Sequence, residues 1–371
     1  MGLFLSHTTA LEALRSWNLR NRLAKGGRCD APVPTALPAE RDLRRAALRV
    51  LPPAEPSRPI EVIVSTGHSG ARANGLFAHV TQAPLPAGSA IRISDGVVCS
   101  APELVAVQMA PSLTLLELLC LLSELLGLYA ICPEAEGGMF ERPEPLTTPE
   151  RLRTYLDALG PRPGTGLVRH ALALACVRSG SPRETKLALR LSLRPGLGGY
   201  GLGLLAMNEP VVVERIYDPG TTGIRRPDIL VGRPRDATLA GAARFVAVEY
   251  NGRHHDLPAR IAQDANRSNE LRARDIPEYV VRREQYDDLD YMDGLVARIR
   301  QNLALPRIGM TRKTAEERRR LRRQLYEELE HIDGVHWNGR ARAVERERRA
   351  DSSDEIARTK ELVPVEAYGL E

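Results

Sequence analysis

The sequence predicts a mixed α/β (α+β) protein. Its C-terminal half carries an αβββαβ core, a mixed sheet flanked by helices, preceded by a smaller α+β domain. Three observations carry this expectation. Two short apolar runs, Pro227–Val231 and Phe245–Tyr250, are bounded by turn residues and read as strands buried on both faces. A helical stretch, Pro258–Asp275, and a strand-like run, Glu278–Arg282, follow them. Upstream, the hydrophobic period changes at Ile60 and announces a separate small sheet.

A length of 371 residues suits two or three domains, and 43% hydrophobic with 27% charged residues is ordinary for a soluble globular protein. Aromatic residues make up only 4%, so the cores must be aliphatic. The net charge of +5 permits binding to a polyanion without requiring it. Cys29, Cys99, Cys120, Cys132 and Cys176 are scattered and form no Cys-x-x-Cys pair. That argues for reduced thiols in a cytoplasmic protein, against a disulfide framework and against a zinc site. The opening Met1–Leu5 run is too short for a secretory signal and lacks a basic n-region. Leu113–Cys132 is the most apolar stretch, but Glu117 and Glu124 would be expensive in a bilayer. It reads as an interior helix, and no membrane association is expected.

In chain order, residues 1–51 read as a helical N-terminal region. Leu3–Leu23 is helical, with Ser6-His7-Thr8-Thr9 as its capping region. Arg28–Pro38 is a proline-rich loop and Arg41–Leu51 a short basic helix, after which Pro52–Pro59 is a linker. Residues 52–180 read as a small α+β domain. Ile60–Ser65 and Leu76–Thr81 are strands joined through Gly67, Gly70 and Gly75. Ala90–Ser94 and Val97–Ser100 form a hairpin around Asp95-Gly96. Ala101–Ala110 and Leu113–Leu126 are helices, then comes a Pro/Gly-rich gap to Thr148, a helix capped by Thr148-Pro149-Glu150, and a short helix at His170–Arg178.

Residues 181–305 supply the αβββαβ order: helix Ser181–Leu193, strands Val211–Tyr217, Pro227–Val231 and Arg244–Tyr250, helix Pro258–Asp275 and strand Glu278–Arg282, with a further helix at Leu289–Leu303. Gly196–Gly203 lacks the Gly-Lys-Ser/Thr ending of a phosphate loop and reads as a connection. Residues 306–371 form a charged helical tail. Its basic block is Arg318–Arg323, and Leu321, Leu325 and Leu329 recur at helical spacing. Such a helix is either solvated or a contact for nucleic-acid phosphates.

Asp228 opens one core strand and Glu249 closes the next. A carboxylate at the end of a buried strand is costly unless it is paired or ligates a cation. Two of them on neighbouring strands suit magnesium, which is held by one or two carboxylates plus substrate phosphate. The alternative is that both are strand-end residues pointing at water. Asn251-Gly252 then allows a tight turn, and His254 and His255 place titratable groups beside the carboxylate.

These residues resemble the PD-(D/E)XK nuclease superfamily, in its very-short-patch-repair-like branch. The resemblance runs through Pro227-Asp228, Glu249, Gly252, His255, Asp264, Arg267, Leu271 and Arg282. It implies a restriction-endonuclease-like core, Mg2+ or Mn2+ held by Asp228 and Glu249, and a proton relay at His255. It also implies that Glu184, on the preceding helix, joins the site. Glu184 reads equally as a cap of that helix, three residues after Ser181. Arg226, Arg253, Arg267 and Arg282 would contact the DNA backbone, although Arg267 with Asp264 also reads as an intrahelical ion pair. Asn251 stands where relatives often have Asp and classical members have Lys. Its amide oxygen can coordinate, but it brings no charge and cannot act as a base. Asp275 likewise replaces a small residue before the last strand.

The first half resembles the sensor-like part of AbiEi-type antitoxin proteins, through Ser6–Leu11 and Ser94–Leu104. Three functions follow as expectations. One is a metal-dependent endonuclease-like protein acting on DNA, in a phage-defence or mobile-element context. A second is a non-catalytic DNA-binding regulator of the AbiEi kind, with a retired nuclease core and a toxin partner. A third is a structural or partner-binding protein in which Asp228 and Glu249 are salt-bridged, with any self-association partner left open.

Overall fold

A computed structural model of the chain describes residues 2–16, 27–37, 59–67, 72–73, 76–216, 218, 220–232, 243–252, 268–306 and 311–347. The expected helix Arg41–Leu51, most of the helix Pro258–Asp275, and Arg253, His254, His255, Asp264 and Arg267 lie outside these residues.

The structure is mixed α/β, with a seven-stranded mixed sheet and a four-stranded one. The larger sheet contains β1 (Leu3–Leu5), β2 (Arg28–Cys29), β3 (Ile60–Val64), β4 (Arg72–Ala73), β5 (Leu76–Val80), β6 (Ala90–Ser94) and β7 (Val97–Ser100). Their spatial order is β2-β6-β7-β1-β3-β5-β4. Leu3–Leu5, expected as helix, is the middle strand of this sheet, parallel to β7 and antiparallel to β3. All three of its residues are buried, because both of its edges and both of its faces are covered. The helix begins only at His7 and runs to Arg15. Part of the expected loop after it, Arg28–Cys29, forms β2 against β6.

The Pro102–Met109 and Leu115–Leu125 helices follow. Thr114 and Glu117 close a reciprocal capping box on the second of these. Its two carboxylates point inward. Glu117 also accepts from the backbone N–H of Gly339 (2.7 Å), and Glu124 is bridged by Arg15 (2.6 Å). The helix is therefore interior, and no described helix is long and apolar enough to cross a membrane.

The expected gap before Thr148 contains a hairpin, β8 (Tyr129–Ile131) with β9 (Met139–Glu141). Its turn uses Gly137 and Gly138 at φ 80° and 74°, values that glycine adopts freely. After the Pro149–Leu159 helix, the next one runs Thr165–Leu172 rather than His170–Arg178. Gly164 starts it at φ 93°, and a Cβ there would stand 2.3 Å from the Val107 carbonyl oxygen.

Ser181 caps the Pro182–Ser192 helix, its Oγ accepting from the Glu184 N–H at 3.1 Å. The four-stranded sheet then runs β10 (Leu204–Ala206), β13 (Ile229–Gly232), β14 (Phe245–Asn251) and β15 (Glu278–Arg282). The first two pairings are antiparallel and the last is parallel. The sequence placed Val211–Tyr217 as the first of these strands. Instead β11 (Val211–Glu214) pairs with β12 (Thr222–Arg225) in a separate, half-exposed hairpin.

Val246, Val248, Ile229, Val231 and Val281 face the main core. Ala247 and Leu230 face a smaller cluster with Val213, Leu271 and Ile276. Both faces of the sheet are thus covered, which is why its strands read as unbroken apolar runs.

The Leu289–Asn302 and Arg312–His331 helices complete the fold, with a last helix over 339–347. The tail helix is not merely solvated. Leu325 and Leu329 are buried in the main core, and Arg322 reaches Asp293 at 2.8 Å. Arg319 pairs with Asp290. Two cations of the basic block are thereby turned onto the protein itself.

Candidate functional site

The end of the four-stranded sheet brings Asp228 and Glu249 together. Ile229 pairs with Val248, which puts Asp228 opposite Glu249 across the antiparallel step. The Asp228 N–H donates to Glu249 Oε1 at 3.4 Å, and the Tyr250 N–H donates to Asp228 Oδ2 at 2.7 Å. Strand alternation puts Asp228 with Leu230, and Glu249 with Ala247, on the face of the smaller cluster. Asn251 falls on that same face, and its register partner in β15 is Arg282, an exposed residue. One face at one end of the sheet therefore presents two carboxylates, an amide and an arginine. The oxygen donors suit a hard divalent cation.

Glu184 lies at the start of a helix that packs through Leu187, Leu189 and Leu191 on the main core. Its Oε2 accepts from the Gly180 N–H (2.8 Å) and from Asn208 Nδ2 (3.0 Å). The return bond goes to Gly180 rather than to Ser181, so this is a cap without the reciprocal box. Asn208 connects it onward, donating its N–H to the carbonyl of Pro227, next to Asp228, at 3.0 Å. Asn208 has φ 52°, a left-handed conformation that asparagine tolerates better than most residues. Nothing in the sequence marks it. Arg226 is exposed, with Nη1 3.5 Å from the Asn208 carbonyl oxygen.

Beside this face, the buried Glu270 is held by Arg225 at 2.5 Å and Arg215 at 3.4 Å. Both arginines come from the β11–β12 hairpin region, so the pairing ties that hairpin to the helix end at 268–272.

A second cluster, unexpected from the sequence, lies on the larger sheet. His7, Glu61 and His79 place one ligand-type atom each within 4.8 Å of the others. Glu61 Oε1 is 3.2 Å from His79 Nε2. Glu61 Oε2 accepts from the Thr8 N–H at 2.7 Å and from the Thr8 hydroxyl. His7 Nδ1 lies 3.0 Å from Ser6 Oγ, and the two imidazole rings stack with centroids 3.4 Å apart. Burial, with the neighbouring His79, lowers the His7 pKa from 6.5 to about 3. Burial alone would raise the Glu61 carboxyl, but hydrogen bonds from His79 and Thr8 outweigh it and hold the group below its usual range. The sequence reading took His7 as part of a helix cap, and His79 lies inside an expected strand. A pattern of isolated residues on three segments gives no local signal.

The thiols are poor candidates for chemistry. All five are free, and burial pushes Cys120 and Cys176 up to about 12.

Compared with known proteins, the chain matches no family model, no curated protein and no solved structure.

Proposed function

We propose that the chain is a metal-dependent, endonuclease-like protein that processes DNA, with its site on the four-stranded sheet. The observation that carries this reading is the pairing of Asp228 with Glu249 on one face at one strand end. The surroundings support it. A helix, three strands paired antiparallel and a parallel fourth strand are compatible with the order expected of a restriction-endonuclease-like core. Asp228 and Glu249 would hold Mg2+ or Mn2+, and a bound ion of this kind stabilises phosphate charge and acidifies water. The chain's own residues do the rest. The Tyr250 N–H fixes the Asp228 carboxylate, and the Asp228 N–H helps to fix that of Glu249. Arg282 and Arg226 would meet backbone phosphates, which positions a strand without reading its sequence. Glu184 acts through Asn208 on the segment that carries Asp228, which makes it a positioning residue.

Asn251 favours a second reading, a DNA-binding regulator of the AbiEi kind whose nuclease core no longer cleaves. An amide in place of lysine supplies neither charge nor base. In either case the expected partner is DNA.

The test is incubation of the purified chain with plasmid and linear DNA in Mg2+ or Mn2+. Metal-dependent cleavage that disappears in Asp228→Ala and Glu249→Ala supports the first reading. Cleavage that survives both substitutions overturns it. No cleavage with any metal, together with a DNA affinity that falls steeply with salt, supports the second.

A further inference from the structure

We propose that His7, Glu61 and His79 form a separate transition-metal site, of the zinc class, with a remaining coordination position open to water. The donor set is two imidazoles and one carboxylate, a combination used for zinc and for non-haem iron rather than for magnesium. This proposal does not depend on the function assigned to Asp228 and Glu249.

Three elements build the site. His7 is the first residue of the N-terminal helix, Glu61 lies on β3 and His79 on β5. The two strands are parallel, with Glu61 paired to Phe77 and Ile63 to His79. Glu61 and His79 are thus diagonal neighbours on one face. Their ligand atoms stand 3.2 Å apart, close to the ~3.3 Å edge of a tetrahedron with bonds of about 2.0–2.1 Å.

The supporting shell is already in place. Thr8 holds Glu61 Oε2 through both its N–H and its hydroxyl, which leaves Oε1 directed at His79. In the tautomer whose Nδ1–H donates to Ser6 Oγ, His7 Nε2 carries the lone pair that a metal would take. Such outer hydrogen bonds fix the tautomer and aim of a metal ligand.

A further observation is backbone strain. His7 has φ 46°, a conformation that few non-glycine residues adopt. Its N–H is met by Gln108 Oε1 at 3.2 Å, and its ring is stacked on His79. Strain of this sort persists where the surroundings demand it and gathers at ligand clamps. Here it delivers an imidazole to the carboxylate of a neighbouring strand. Because the rings are parallel, with an interplanar angle of 17°, one ion cannot lie in both ring planes. Loading therefore turns one ring about its Cβ–Cγ bond. Glu61 and His79 side chains are 18% and 22% exposed, so water reaches the remaining position.

The experiment uses the full chain, stripped with a chelator and titrated with Zn2+ and with Co2+. One tight equivalent per chain is expected, with the visible bands of four-coordinate Co2+. X-ray absorption of the zinc-loaded wild type should show two imidazoles. His79→Ala and Glu61→Gln should each weaken binding by more than the ~10–100-fold typical of outer-shell changes. Asp228→Ala with Glu249→Ala should leave it unchanged. No tight equivalent in the wild type, no imidazole scattering, or binding undiminished in folded His79→Ala overturns the site. The X-ray measurement needs no variant, so it decides the matter even if the substitutions unfold the chain.

Discussion

Asp228 and Glu249 are joined by a backbone-to-side-chain hydrogen bond, with the N–H of the first donating to Oε1 of the second at 3.4 Å. The carboxylate of Asp228 in turn accepts from Tyr250, the residue after Glu249, at 2.7 Å. Each acid is therefore oriented by the other's strand. A site built this way is set by sheet register, and a one-residue slip of either strand would send its carboxylate to the face opposite the other's.

The first prediction separates chemistry from folding at this site. Asp228→Asn keeps an oxygen to accept the Tyr250 N–H but removes the charge that would hold a cation. Metal-dependent cleavage should drop by at least about a hundredfold, since transition-state charge stabilisation is worth several kcal/mol. The melting temperature should stay within about 3 °C of wild type, a surface-scale effect. A large fall in melting temperature would show that Asp228 is structural instead.

Glu184 gives a second prediction. Its Oε2 serves the Gly180 N–H and the Asn208 amide together. Glu184→Ala leaves both donors without that acceptor, at a cost of about 1–3 kcal/mol in urea unfolding. Glu184→Gln keeps an acceptor oxygen and should recover most of the loss. If the glutamine variant is fully stable yet cleaves poorly, the charge of Glu184 matters to the reaction as well as to the cap.

The acid limb of stability should carry the mark of His7. Unfolded, the imidazole takes its proton near 6.5; buried, only near 3. Between those values the unfolded chain binds more protons, so stability present at neutral pH is lost as pH falls through that window. Glu61, also lowered, adds a loss of the same sign in acid. In chelator, wild type should lose up to a few kcal/mol between pH 7 and pH 4. His7→Asn, which tolerates the left-handed backbone, should flatten that slope. An unchanged slope would mean that His7 is not the group responsible.

Much of the core was legible, and the reasons lie in particular residues. Phe245–Tyr250 read as a strand because Val246 and Val248 bury on one side and Ala247 on the other. The pairing of Asp228 with Glu249 followed from one such run opening on an acid and the next closing on one. Leu3–Leu5 was missed because three apolar residues show no period, and only the edges of β7 and β3 make them a strand. Leu204–Ala206 was hidden for the same reason behind a glycine-rich connection, so the valine-rich Val211–Glu214 took its place in the expected order. The histidine cluster and Asn208 are products of tertiary register and have no sequence signature.

Arg15 fastens the first helix to the interior helix and to the segment after the tail helix. Arg15, in the first helix, meets Glu124 through Nε and Nη2 at 2.8 and 2.6 Å, with both side chains nearly excluded from water. Arg15 also donates to the Gly334 carbonyl at 2.8 Å, and Glu124 accepts from the Ile131 N–H at 3.1 Å. The pair thus ties the first helix, the interior helix, the β8 strand and the segment after the tail helix at one point. Removing one partner leaves a buried charge, so Arg15→Met or Glu124→Met should each cost about 3–5 kcal/mol in chemical denaturation. Replacing both at once removes the stranded charge, so the double variant should lose much less than the sum of the two. Additive losses would mean that the two side chains act on stability separately, and that the bridge is not what joins these elements.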